Sequence, residues 1–192
     1  ANSCWFWGAG TRPALVSFEE KNGKKGAMIS AVDLLKGIAV GAGMTNIQVE
    51  GANGQLHTNY EGKARAAADA LLKDGFDFVY VHVEAPDEMG HQGSWERKVQ
   101  SIEYLDQRLI KHLKEALDAS GEPYRMMVLP DHPTPIRVRT HTSDPVPFLL
   151  YDSTKTQNGQ DVYSEKAARE SGLTVSRGCE LIDRLFEKTE IR

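Results

Sequence analysis

Residues 76–84, FDFVYVHVE, set the strongest limit on what this chain can fold into. The segment is β-branched and aromatic, and apolar residues fall on both of its alternating faces, the pattern of a strand covered on both sides. Helical patterns flank it, as such a strand requires. Upstream, the Ala-rich stretch EGKARAAADALLKDG runs to a stop at Gly75. Downstream, from Ser94, Ile102, Leu105, Leu109, Leu113 and Leu117 recur at threes and fours among charged residues until Gly121.

The rest of the chain repeats this alternation. GAMIS reads as a strand or extended entry to a helix marked by Val32, Leu35, Ile38 and Ala39, which ends at Gly41 and Gly43. Residues 46–49 read as a short strand and GANGQ as a loop. RMMVLP is a second buried strand running to Asp131, VPFLLY from Val146 is another, and Met126 and Met127 belong to the core. After the polar stretch DSTKTQNGQD, residues 164–170 and 178–187 carry two short helical patterns. Strands alternating with helices predict an α/β fold with a mostly parallel sheet and helices on both faces.

A chain of 192 residues, 40% hydrophobic and 26% charged, has enough apolar surface for an ordinary core, and one domain is the simplest division. The net charge of −4 supplies no basic field for nucleic acid or an anionic membrane. No apolar run approaches the ~20 residues of a membrane span. The two cysteines, Cys4 and Cys179, lie far outside any thiolate-zinc spacing, which fits a reducing cytoplasm. The opening ANSCWFWGAG has neither the pattern of a signal peptide nor an initiator Met, and reads as a start inside a larger protein.

In parallel α/β sheets ligands gather beyond the carboxyl ends of the strands. Asp87 and His91 (DEMGH) follow the first buried strand, Asp131 and His132 (DHPTP) follow the second, and His141 (THTSDPVP) precedes the last. Carboxylate oxygen and imidazole nitrogen without thiolate are the donors of a divalent ion that serves chemistry rather than scaffolding. A lone loop histidine is ordinarily a hydrogen-bonded surface residue, as expected for His57 and His112, but three of six histidines share this placement and two have an aspartate at tight spacing. The Asp87–His91 pair is expected in a loop running through Gly90 to the long helix. Pro133 and Pro135 hold Asp131 and His132 in irregular backbone, from which they could reach one ion or bridge two.

These motifs, with the K-x-x-x-I-E-x-x-D run over residues 98–106, WFWGAG, the stretch SFEEKNGKKGAMISAVDLLKGIAVGAGM and GANGQLHTNYEGKA, resemble the archaeal-type cofactor-independent (2,3-bisphosphoglycerate-independent) phosphoglycerate mutases of the alkaline phosphatase superfamily. The likeness covers nearly the whole chain. It implies an isomerase of glycolysis and gluconeogenesis that exchanges 3-phosphoglycerate and 2-phosphoglycerate through a phosphoserine, with two divalent ions (Mn, Zn or similar) and no organic cofactor. Asp87, His91 and His141 would hold one ion, and Asp131 and His132 would contribute to the second. In the family another aspartate and the nucleophilic serine complete that second site, but Ser3, Ser17 and Ser30 do not lie in a matching motif. The resemblance therefore implies no catalytic nucleophile in residues 1–192. It implies the C-terminal portion of an alkaline-phosphatase-like core, with the nucleophile and an inserted domain upstream, in an enzyme of about twice the length. Alone, such a piece is expected to bind metal weakly and turn over poorly.

Trp7 and Arg12 are candidate contacts for a small phosphate ester, Arg12 by a bidentate pair, against the plainer reading of an aromatic turn and a surface arginine. Lys98 could neutralise phosphate or simply belong to a charged helix face. His82 and Glu84 could orient ligands from behind. Two other functions compete: a different phosphotransferase or phosphohydrolase of the same superfamily, and a catalytically inert metal-binding fragment. These residues are compatible with assembly into a homo-oligomer.

Overall fold

The computed structural model of the chain describes residues 10–11, 13–155 and 159–186. In chain order its elements are α1 (Phe18–Asn22), β1 (Gly26–Ile29), α2 (Asp33–Gly41), β2 (Thr45–Asn46), α3 (Tyr60–Leu72), β3 (Phe78–Val81), α4 (Ala85–Gln92), α5 (Trp95–Tyr104), a π-helical segment (Leu105–Ile110), α6 (Lys111–Ser120), β4 (Arg125–Val128), β5 (Leu149–Asp152), α7 (Glu165–Glu170), a 3₁₀ turn (Gly178–Glu180) and α8 (Leu181–Leu185). They form two compact units. The first comprises residues through Glu84 with Tyr104–Leu113, and the second comprises Ala85–Glu103 with the residues from Lys114 onward.

The first unit is a parallel α/β layer. Its three strands pair in the order β2-β1-β3, with Gly26 opposite Phe78 and Ile29 opposite Val81, so the strand read from residues 76–84 lies parallel to β1 as expected. All four residues of β1 are buried. Against β1 and β3 packs α3, whose Tyr60, Ala64, Ala67 and Ala68 return at threes and fours to one buried face. Small alanines let the helix axis approach the sheet closely, and Asn59 starts the helix by accepting from the Gly62 N–H at 2.8 Å. The same face carries Lys63, 1% exposed, whose Nζ donates to the His82 carbonyl at 2.8 Å. Burial pushes this ammonium down to about 8, with the Glu84 carboxylate acting in the opposite sense.

The π-helical segment interrupts what the sequence pattern presents as one regular helix. Arg108 within it reaches Glu61 of α3 through Nε at 2.6 Å and Nη2 at 3.0 Å, and its guanidinium lies 5.3 Å from the Tyr60 ring and 4.9 Å from that of Tyr104. This bidentate pair links the π-helical segment to α3 within the first unit.

In the second unit β4 and β5 pair antiparallel, Arg125 opposite Asp152 and Val128 opposite Leu149. β4 begins at Arg125 as read but stops at Val128, β5 starts at Leu149 rather than Val146, and the direction of their pairing is not encoded by a period-two pattern. Arg125 donates to Asp152 Oδ2 through Nε and Nη2, both at 2.8 Å, while Thr154 donates to Oδ1 through its backbone N–H and hydroxyl. The Thr154 donors, and after them the Arg125 guanidinium, hold the Asp152 carboxyl well below the usual carboxylate range. Leu117, Ala167 and Leu181 supply buried apolar contacts in this unit. No helix among the described residues is long and apolar enough to cross a membrane.

Candidate metal centre

Asp87 and His91 sit on α4, not in a loop as the spacing had suggested. Pro86 is tolerated in a first helical turn, where its missing N–H would be unpaired anyway, and Asp87 and Glu88 place negative charge at the helix's positive end. A D-x-x-x-H spacing thereby becomes an i, i+4 pair on one helix face. His141 arrives from the segment that follows β4. His91 Nε2 lies 3.3 Å from Asp87 Oδ2, His141 Nε2 lies 3.3 Å from Asp87 Oδ1, and the two Nε2 atoms are 3.2 Å apart.

Those separations suit a metal ion. Ligands about 2.0–2.1 Å from a tetrahedral centre stand about 3.3–3.4 Å from each other. The ring orientation fits as well. His91 Nδ1 lies 2.9 Å from the Arg139 carbonyl oxygen, which can only accept, so the proton belongs on Nδ1 and the Nε2 lone pair faces His141 and Asp87. Side-chain exposures of 26% for Asp87, 36% for His91 and 52% for His141 leave the cluster open to an incoming group.

The backbone around the cluster is specialised. Arg139 has φ +58°, the left-handed region that costs a non-glycine residue roughly 1–2 kcal/mol, and this conformation aims its carbonyl at His91. A Cβ on Gly90 would lie 2.6 Å from the Thr134 carbonyl oxygen, so only glycine lets α4 approach that loop so closely. Thr134, 3% exposed, donates its hydroxyl to Asp87 Oδ1 in a short hydrogen bond.

Asp131 and His132 lie next to the trio but do not join it. The His132 ring lies against that of His141 at 3.7 Å between centroids, tilted by 33°, His132 Nε2 is 3.5 Å from Asp131 Oδ2, and the His132 backbone N–H donates to Asp131 Oδ1 at 3.0 Å. Among the described residues, the trio of Asp87, His91 and His141 is the grouping whose donor atoms all lie within 4.8 Å. Lys98 of α5 donates from Nζ to the Thr134 carbonyl at 2.6 Å. Burial pushes its ammonium below the usual lysine range, while Asp87 and Glu165 oppose that shift. His82 and Glu84 make contacts in the first unit, where His82 Nδ1 lies 3.4 Å from Ser30 Oγ and the Glu84 carboxylate fills the space beside Gly54. His57 and His112 are exposed. Trp7 and Arg12 lie outside the described residues. Thr134 and Arg139 were not singled out from sequence: the threonine's place inside DHPTP was its only signal, and Arg139 acts through its carbonyl, which no residue type announces.

Parallel α/β architecture and an open Asp–His cluster together make this an α/β protein with a grouping that could hold a metal ion. Residues 2–181 match the metalloenzyme superfamily, and the chain belongs to it. It is 47% identical over 188 residues to the 2,3-bisphosphoglycerate-independent phosphoglycerate mutase of Methanosarcina mazei, covering 97% of this chain and 47% of that protein. It is 48% identical over 182 residues to the like-named protein of Methanothrix thermoacetophila, covering 95% of this chain and 46% of the relative. The chain thus spans about half the length of the curated relatives it matches. A solved Pyrococcus horikoshii protein aligns with TM-score 0.80 at 31% identity, over 94% of this chain and 55% of that one. The cofactor-independent phosphoglycerate mutase of Thermoplasma acidophilum aligns with TM-score 0.64 over 93% of this chain and 40% of its own, and at 22% identity that likeness concerns the fold.

Proposed function

We propose that this chain forms the metal-binding portion of a phosphoglycerate mutase that exchanges 3-phosphoglycerate and 2-phosphoglycerate in the cytoplasm, a step of glycolysis and gluconeogenesis. The observation that carries the reading is the convergence of Asp87, His91 and His141, in a chain so similar along its length to proteins named as such mutases. Asp87, His91 and His141 are proposed to hold one divalent ion, and Asp131 and His132 to contribute to a second. When bound, such ions lower the pKa of an attacking hydroxyl and neutralise phosphoryl oxygens. The chain's own groups prepare that chemistry. The Arg139 carbonyl keeps His91 in the tautomer that offers Nε2. The tilted ring contact of His141 with His132 brings the two ligand sets side by side. Lys98, Trp7 and Arg12 are proposed to meet the anionic ester. The nucleophile that would carry the phosphoryl group, a serine in the proposed mechanism, is assigned to no residue of this chain.

Mutase assays of the full-length natural protein test the reading. Asp87→Ala and His141→Ala are each expected to reduce 2-phosphoglycerate formation by at least roughly a thousandfold, the scale on which charge stabilisation in phosphoryl transfer is lost. Wild-type release of inorganic phosphate instead of isomer, or substantial isomerisation by either variant, would overturn it.

A further inference from the structure

We infer that Thr134 is a positioning residue for the metal centre, held from behind by Lys98, an inference resting on the metal-centre reading above. Three contacts meet at this residue. Its hydroxyl donates to Asp87 Oδ1, its carbonyl accepts from Lys98 Nζ at 2.6 Å, and Gly90 lets α4 approach close enough for both. Thr134 is buried, and its χ1 has few rotamers to choose from, so the donor is fixed before any ion arrives.

The consequence is rotational control of the carboxylate. Asp87 faces both histidines through different oxygens, Oδ2 toward His91 and Oδ1 toward His141. A free aspartate would turn about its last torsion, where the energy wells are broad. A buried hydroxyl on Oδ1 removes that freedom and sets which lone pairs point between the imidazoles. The hydroxyl has a second acceptor nearby, His132 Nδ1 at 3.4 Å, but Asp87 Oδ1 is the closer partner and is the one to which it donates. Lys98 acts one step further back. By clamping the Thr134 carbonyl it keeps the loop from retreating when the carboxylate's charge is shared with a cation.

Co²⁺ titration of the 192-residue chain, following affinity and the visible absorption that reports coordination geometry, tests this with three variants. Thr134→Val keeps shape and burial but removes the donor, and is expected to weaken Co²⁺ by roughly 10–100-fold with an altered spectrum. Thr134→Ser restores the donor and is expected to bind within about threefold of wild type, since the hydrogen bond rather than the methyl group matters. Lys98→Met is expected to lose roughly threefold to tenfold, the size of one hydrogen bond, and serves as the second arm if Thr134→Val fails to fold. Wild-type affinity and spectrum in folded Thr134→Val would overturn the inference while leaving the metal reading intact. Equal losses in the Val and Ser variants would overturn it too, because packing rather than the hydroxyl would then be responsible. No Co²⁺ binding by the wild-type chain would overturn the metal reading beneath it.

Discussion

Gly90 shows how one residue can be decided by two opposed effects. It lies inside α4, where alanine is favoured over glycine by roughly 0.8–1 kcal/mol of helix propensity. An added Cβ, however, would sit 2.6 Å from the Thr134 carbonyl oxygen and 3.0 Å from Lys98 Nζ. The carbonyl is backbone and has no rotamer to escape into, and overpacking of that kind costs about 1–3 kcal/mol. The clash outweighs the propensity. Gly90→Ala is therefore expected to lower thermal stability by a net ~1 kcal/mol and to push Asp87 away from Thr134. An unchanged or raised melting temperature would show that helix and loop are not packed as described. Gly90 was legible in the sequence as punctuation only. That glycine is needed for close approach depends on which loop lies opposite, and no local pattern carries that information.

At the level of elements, α3 was readable from its Ala-rich run stopped by Gly75 and β3 from its β-branched and aromatic run, and both form parts of the parallel layer. Helix α4 was read as a loop because Pro86 and Gly90 look like breakers, although in eight residues one opens the first turn and the other makes room for Thr134. Pairing direction in β4 and β5, and the π-helical segment carrying Arg108, depend on long-range partners. Lys63 tests the packing of α3 on β3 through pH. Its folded pKa is about 8, below the ~10.4 of an unfolded lysine, so on raising the pH the folded chain releases this proton first. Stability tied to Lys63 accordingly rises between about pH 8 and 10, where the unfolded state binds more protons. Tyr60, pushed up to about 12 by burial, opposes this above about pH 10, because there the folded state retains the phenolic proton longer. The urea midpoint of wild type is expected to climb from pH 8 to 9.5, and that climb should be absent in Lys63→Met. An equal climb in both would mean that Lys63 is solvated and does not anchor the His82 carbonyl.

For the whole molecule, family and chemistry were legible well before geometry. The residue types at Asp87, His91, Asp131, His132 and His141 already specified hard and borderline donors without thiolate, and spacing placed them near strand ends. Three-dimensional structure adds selection: Asp87, His91 and His141 converge, Asp131 and His132 stand alongside, and Thr134 with Arg139 aims the first set. The chain matches about half the length of its mutase-named relatives, and metal capture by the trio can be tested in this chain alone. Isothermal titration of the 192-residue chain with Mn²⁺ or Zn²⁺, beside His91→Ala, is the most direct measurement. Saturable binding by wild type, weakened at least about tenfold in His91→Ala with both chains folded, is the predicted result. Identical isotherms for the two chains, or no binding by wild type, would contradict a metal centre at Asp87, His91 and His141.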